Sequence, residues 1–205
     1  MSGMLIFASK LGPTIGKIVS LLPEAPANLA ILCIPTAANV YPPDGRAWQA
    51  DEMAALEGVG AKLQLLDVAV ATEAALAEAF VSADLIYVTG GNSYYLMEQM
   101  GKPHVRNALR AALARGAIYL GVSAGAVVAS PRVDFIGAMD DASKANLTSY
   151  AGLGLVDFLV MPHCDHPKYG WVAQQQMAAL QPPEWCVALR DDQIAVVQGQ
   201  AVEVY

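Results

Sequence analysis

The chain has 205 residues, with 12 basic and 19 acidic side chains and a net charge of −7. Hydrophobic residues make up 55% and charged residues 15%, and the isoelectric point is near 4.8. This apolar content excludes a disordered polymer, whose chain entropy would go uncompensated. The acidic balance excludes a basic nucleic-acid-binding face.

The longest apolar runs, such as Leu29 to Pro35, fall far short of the ~20 residues of a membrane helix. Residues Met1 to Lys10 carry no basic segment ahead of their apolar stretch, unlike a signal peptide. The expectation is a soluble, cytoplasmic protein with no membrane partner. Cys33, Cys164 and Cys186 lack paired spacing, and neither a C-x-x-C zinc motif nor H-E-x-x-H occurs, so no metal or other cofactor is expected.

In chain order, apolar runs at Met4–Ala8, Leu29–Ile34, Leu63–Asp67, Leu85–Val88 and Ile118–Gly121 read as strands. Helical patterns fall near Arg46–Leu56, Thr72–Val81, Ser93–Met100 and Pro103–Arg115. Pro103 suits a first helical turn and Gly116 a C-terminal stop. Strands without polar alternation are buried on both faces, and alternating β and α units give a doubly wound, mostly parallel sheet with helices on both faces. Further strands are expected at Leu153–Met161, Trp185–Leu189, Ile194–Val197 and Val202–Tyr205, the last two as a hairpin at a sheet edge. No repeat or linker interrupts residues 1–205, so one domain is the simplest organisation.

Gly121-Val-Ser123-Ala-Gly125 follows a buried strand and precedes a run of small residues. This is the pattern of a nucleophile elbow, which projects a serine hydroxyl at the carboxyl end of a sheet. The N–H of Ala124 then faces an oxyanion beside Ser123, reinforced by the helix dipole. Upstream, Thr89-Gly-Gly-Asn-Ser93 is another strand-to-helix turn. There Gly91 is the candidate second oxyanion donor, with Gly90, Asn92 and Tyr94 as candidate substrate contacts.

A serine at neutral pH needs a base, and histidine is the usual one. His104 stands at a helix start, whereas His163 and His166 follow the apolar run ending at Met161. His163, nearer the strand end, is the expected base, and His166 and Lys168 are expected to shape the pocket. For the acid that orients the imidazole, the residues leave Asp140 and Asp141 open, because Asp134 and Asp157 lie in or beside apparent strands and Asp165 is too close in sequence to His163.

Together, Thr89-Gly-Gly-Asn-Ser-x-x-Leu96, Gly121-Val-Ser-Ala-Gly-Ala126, Met161-Pro-His163 and Ile34-Pro-Thr-Ala-Ala38 resemble the peptidase E family of aspartyl dipeptidase-like serine peptidases. The resemblance spans about residues 4 to 200. It implies a class I glutamine amidotransferase-like fold and acyl transfer from short peptides. It further implies a triad in the chain order Ser, Asp, His, with Ser123 as nucleophile, His163 as base, and Gly91 and Ala124 at the oxyanion hole. Counting back from Pro-His without gaps puts Asp141 at the acid position, with Asp140 the fallback.

One departure bears on substrate. The aspartate-specific dipeptidases carry an arginine in a longer loop after Pro-His, whereas here the Cys164–Trp171 loop is short and no arginine lies between Arg132 and Arg190. Lys168 is a point charge rather than a bidentate fork, which speaks against strict Asp-X preference. The alternatives are an α/β-hydrolase-type esterase and a non-catalytic small-ligand or peptide-binding module. Trp171, Trp185 and Tyr205 in a strongly apolar chain are compatible with a homodimer.

Overall fold

The central strands of the main sheet, Leu5–Ala8, Ile31–Ile34, Leu85–Val88 and Ile118–Val122, are buried at every position, so their sequence is apolar throughout rather than at every second residue. In the computed structural model, which describes residues 3–205, strands β1 (Leu5–Ala8), β2 (Ile31–Ile34), β3 (Leu63–Leu65), β4 (Leu85–Val88) and β5 (Ile118–Val122) run parallel. β6 (Leu159–Met161) and β7 (Cys186–Ala188) form a separate two-stranded parallel sheet. The hairpin of β8 (Ile194–Gln198) and β9 (Ala201–Val204) completes the main sheet at one edge, with β8 antiparallel to β1. The seven-stranded order is β3-β2-β4-β5-β1-β8-β9.

Alternate strand residues point into two apolar clusters. Phe7, Ile34, Ile86 and Tyr119 join the first, with residues of the small sheet such as Val160 and Val187. Ile6, Cys33, Tyr87 and Leu120 join the second. Among the described residues, seven α-helices cover these faces: α1 (Ile15–Leu21), α2 (Ala47–Gly58), α3 (Glu73–Ser82), α4 (Ser93–Met100), α5 (Pro103–Ala114), α6 (Ala124–Val127) and α7 (Gly170–Ala178). α1 and α2 contribute Ile18 and Leu56 to the second cluster, and α3 to α6 pack on the first. In α5 the buried residues Val105, Leu109, Ala112 and Leu113 form one stripe at helical spacing. None of the helices among the described residues is long and apolar enough to cross a membrane.

The expected α/β architecture is the observed one, with three local differences. The run from Leu153 is strand only from Leu159. Before it, the N–H groups of Leu153 and Leu155 donate to the carbonyls of Val128 and Ala129 at the end of α6, so that segment is tied to a helix end rather than to a neighbouring strand. α1 is hidden in the sequence by Gly12, Pro13 and Gly16, and α7 by its run of glutamines. Of the N-terminal segment, Met1 and Ser2 lie outside the described residues.

Candidate active site

The register of β1, β4 and β5 sets Ala8, Val88 and Val122 close together at the carboxyl edge of the sheet, where ligands of open α/β sheets bind. Ser123 follows β5 directly, and its N–H donates to the Ala8 carbonyl at 2.8 Å. The turn into α6 is sharp: Ser123 has φ 51° and ψ −110°, a left-handed conformation that a side chain adopts only when its surroundings enforce it. Gly125 makes the turn sterically feasible, since a Cβ there would collide with the Val88 carbonyl.

The Ser123 Oγ lies 2.9 Å from Nε2 of His163. Nδ1 of the same ring lies 2.7 Å from Oδ1 of Asp191. An ionised carboxylate only accepts hydrogen bonds, so the imidazole proton belongs on Nδ1 and Nε2 is left to accept from the serine hydroxyl. Burial acts to raise the Asp191 carboxyl, but hydrogen bonds from His163 and Lys10, together with their charges, outweigh it and hold it at about 2. Lys10 Nζ approaches Asp191 Oδ2 at 2.7 Å. Such a relay of hydroxyl, imidazole and carboxylate can draw the proton from a serine as it attacks a carbonyl.

The carboxylate against the His163 ring is therefore neither Asp140 nor Asp141, the two that the residues leave open for the acid and of which the resemblance implies Asp141. Asp141 is exposed on the β5–β6 connection, and its carboxylate accepts from the N–H and hydroxyl of Ser143 at 2.9 and 2.7 Å. Asp140 is turned toward the cavity, but it accepts from the Ser93 N–H at 2.8 Å and not from His163. The chain order of the relay is Ser, His, Asp. Its cause is the parallel pairing of β6 with β7, which sets Met161 opposite Ala188, so that His163 and Asp191 emerge side by side. Three hydrogen bonds hold them there. Ser9 at the end of β1 donates to the Leu189 carbonyl and accepts from the His163 N–H, each at 3.0 Å. The Asp191 N–H donates to Asp165 Oδ1 at 2.9 Å. His163, like Ser123, has positive φ, at 63°.

Among the described residues, the N–H groups of Gly91 and Ala124 donate to no protein acceptor, which leaves both free for an incoming oxyanion. Gly91 has φ +137°, and a Cβ on it would overlap the backbone of Ala37. That close approach is fixed by the Asn92 N–H, which donates to the Ala37 carbonyl at 2.9 Å. A Cβ at Gly90 would come within 3.7 Å of Ser123 Oγ and 3.5 Å of the Trp48 indole, so Gly90 abuts both.

Gly90, Gly91, His166 and Lys168 line a cavity of about 530 Å³ that Ser123 and His163 also border. Asn92 and Tyr94 do not. The buried Asn92 side chain is consumed in structure, accepting from the Tyr95 N–H as the cap of α4 and donating to the Asp141 carbonyl. Tyr94 is buried against Tyr150, with its hydroxyl directed to the Gly137 carbonyl. His166 stacks on Tyr169, with ring centroids 4.9 Å apart, and burial holds its imidazole below the usual histidine range.

Glu52 of α2 also borders the cavity, a role with no sequence signal because it lies within an ordinary helical pattern. It accepts from the Tyr87 hydroxyl at 2.8 Å. Burial pushes its carboxyl up to about 7, against the hydrogen bonds of Tyr87, Leu11 and Gly90.

Residues 6–205 match the family described as Peptidase family S51. The chain belongs to this family. It is 34% identical over 167 residues to an uncharacterized peptidase of Listeria monocytogenes, covering 77% of this chain and 78% of the relative. An uncharacterized peptidase of Pasteurella multocida is 31% identical over 137 residues, covering 66% of this chain and 65% of the relative. A peptidase E of Streptomyces coelicolor is 35% identical over a shorter stretch, 43% of this chain and 35% of its own length. Among solved structures, a candidate peptidase E protein from Listeria monocytogenes EGD-e superposes with a TM-score of 0.89 at 26% identity, covering 99% of this chain and 98% of the other. A peptidase from an acI-B1 actinobacterium shares the fold, with a TM-score of 0.78 at 23% identity over all of this chain and 88% of the other.

Proposed function

We propose that this S51-family protein is a serine peptidase that hydrolyses dipeptides or short peptides at their N-terminal bond. The observation that carries the proposal is the unbroken relay from Ser123 Oγ through His163 to Asp191 at the edge of the cavity. As the Ser123 oxygen bonds to the peptide carbonyl carbon, its proton passes to His163 Nε2. Asp191 stabilises the imidazolium that forms. The N–H groups of Gly91 and Ala124 receive the negative charge that develops on the carbonyl oxygen. Collapse of this intermediate breaks the C–N bond, and His163 delivers the proton to the departing amine. Water then repeats the sequence on the acyl-serine, losing a proton to His163 and releasing the carboxylic acid as the serine regains its hydrogen.

The test is reaction of the purified protein with a fluorophosphonate, followed by peptide mapping, alongside dipeptide hydrolysis. Labelling at Ser123, with label and turnover both lost in Ser123→Ala, is the expected result. Turnover that survives Ser123→Ala, or a protein that neither labels nor cleaves, would overturn the reading.

A further inference from the structure

The same cavity holds charge and shape that bear on which peptides enter it. Three carboxylates border it, from Asp51, Glu52 and Asp140, and no arginine does among the described residues. Of its two lysines, Lys10 is ion-paired with Asp191 at 2.7 Å, whereas Lys168 lies over the Tyr169 ring at 4.9 Å from the centroid and keeps its charge. An acidic substrate side chain near Asp140 would meet a carboxylate that no lysine or arginine pairs with among the described residues, and like charges repel more strongly in a partly desolvated cleft than in water.

The carboxylates are not equivalent. Asp51 is exposed, and Glu52 is held by Tyr87, Leu11 and Gly90. Asp140 is turned inward at the start of α4, where its donors come from Ser93, and no lysine or arginine pairs with it among the described residues. Burial raises its carboxyl, and Ser93 and the nearby His163 pull it back. The site thus presents a half-buried carboxylate with no cation of its own, on the loop side of the cavity that carries Gly91.

The remaining wall is apolar and aromatic. Tyr41, Trp48, Ile136 and Met139 border the cavity, and Trp48 lies next to Gly90, which in turn abuts the serine. Burial, then Asp140, Tyr169 and Asp141, push the Tyr41 phenol up to about 12, which places that ring among these groups as a neutral wall.

We propose that Asp140 receives the free α-ammonium group of the substrate, and that the Trp48 and Tyr41 wall takes an apolar or aromatic N-terminal side chain in preference to aspartate. This rests on the serine-peptidase reading and assigns its substrate class: unblocked peptides beginning with a residue such as Leu or Phe. Removing the amine would leave the half-buried Asp140 charge without a counter-ion in the complex, and a desolvated charge that loses its partner costs several-fold to many-fold in affinity.

The test compares Phe-Leu, Leu-Leu, Asp-Leu and N-acetyl-Phe-Leu on the wild-type protein, with fluorophosphonate labelling as a parallel readout. The expected result is kcat/KM for Phe-Leu and Leu-Leu about tenfold or more above Asp-Leu, the scale of a side chain matched to its pocket. N-acetyl-Phe-Leu should fall about tenfold or more below Phe-Leu. Asp140→Asn should shrink that free-to-acetylated ratio, chiefly by raising KM for Phe-Leu, while the labelling rate of Ser123 persists.

Preference for Asp-Leu would overturn the side-chain assignment, and equal turnover of the acetylated peptide would overturn the ammonium assignment. Labelling at Ser123 with no cleavage of any unblocked peptide would overturn the inference and leave a serine hydrolase standing. Absence of both labelling and cleavage would remove the serine-peptidase reading, and the inference with it. The wild-type comparison decides the matter even if Asp140→Asn does not fold.

Discussion

Asp191 contacts His163 although 28 positions separate them in the chain, and no local motif announces it. In the sequence it is one aspartate beside another, Asp192, after an apolar run. Ser123 and His163 were legible because each has a local signature, glycines around a tight turn for one and a strand end followed by Pro-His for the other. An acid that only has to reach Nδ1 needs no signature of its own. The expected consequence is that Asp191→Asn lowers the fluorophosphonate labelling rate of Ser123 by about 10³- to 10⁴-fold, while Asp141→Asn leaves it within about threefold, because Asp141 serves only Ser143. A larger loss in Asp141→Asn would reverse the assignment.

The depressed Asp191 pKa also enters stability. It lies below the ordinary unfolded value near 3.9, so the ionised form stabilises the fold at all pH values above about 4, and that contribution of roughly 2 kcal/mol is lost as pH falls toward 2. Acid titrations of unfolding free energy should show this dependence in the wild type and lack it in Asp191→Asn.

At the level of elements, the strands and most helices were readable because burial on both faces or on one stripe leaves a period in the sequence. What pairs with what was not. The parallel partnership of β6 and β7 depends on the β5–β6 and β6–β7 connections folding back, and nothing local encodes that. Ser9 illustrates the same point: it is a polar residue after an apolar strand, yet its hydroxyl bridges the ends of both sheets. Ser9→Ala would leave the His163 N–H without its partner, while the Leu189 carbonyl would keep the Cys164 N–H; the cost should be about 1–3 kcal/mol, and thermal denaturation should show the loss.

Glu52 makes the converse case. It bridges α2 to β4 through Tyr87, and its folded pKa of about 7 lies above the unfolded value near 4.3. The folded protein therefore binds more protons over that interval, so stability declines as pH rises through it, with a slope of up to about 1.4 kcal/mol per pH unit, and is flat above it. Glu52→Gln should remove this slope in urea midpoints measured between pH 5 and 8; an unchanged slope would mean another group titrates.

Across the whole molecule, the small sheet and the first face of the large one share a continuous apolar cluster, with Val160, Met161, Val187 and Leu189 packed among residues that include Phe7 and Tyr119. Such a shared core predicts cooperative unfolding of both sheets. Urea transitions followed by tryptophan fluorescence, from Trp48 on α2 and from Trp171 and Trp185 around the small sheet, should coincide with the loss of far-ultraviolet dichroism. A separate early fluorescence transition would mean that the small sheet melts alone.

The order Ser, His, Asp has a consequence for biosynthesis. A ribosome extends the chain from its amino terminus, so Ser123 leaves the exit tunnel long before Asp191, and β8, which closes against β1, follows later still. During that interval the serine has no oriented base. A growing polypeptide is itself a substrate-like chain, and nascent neighbours on the same messenger would be within reach of any prematurely active peptidase. On the serine-peptidase reading proposed above, drawing the acid from beyond β7 keeps the site silent until residue 191 has been made.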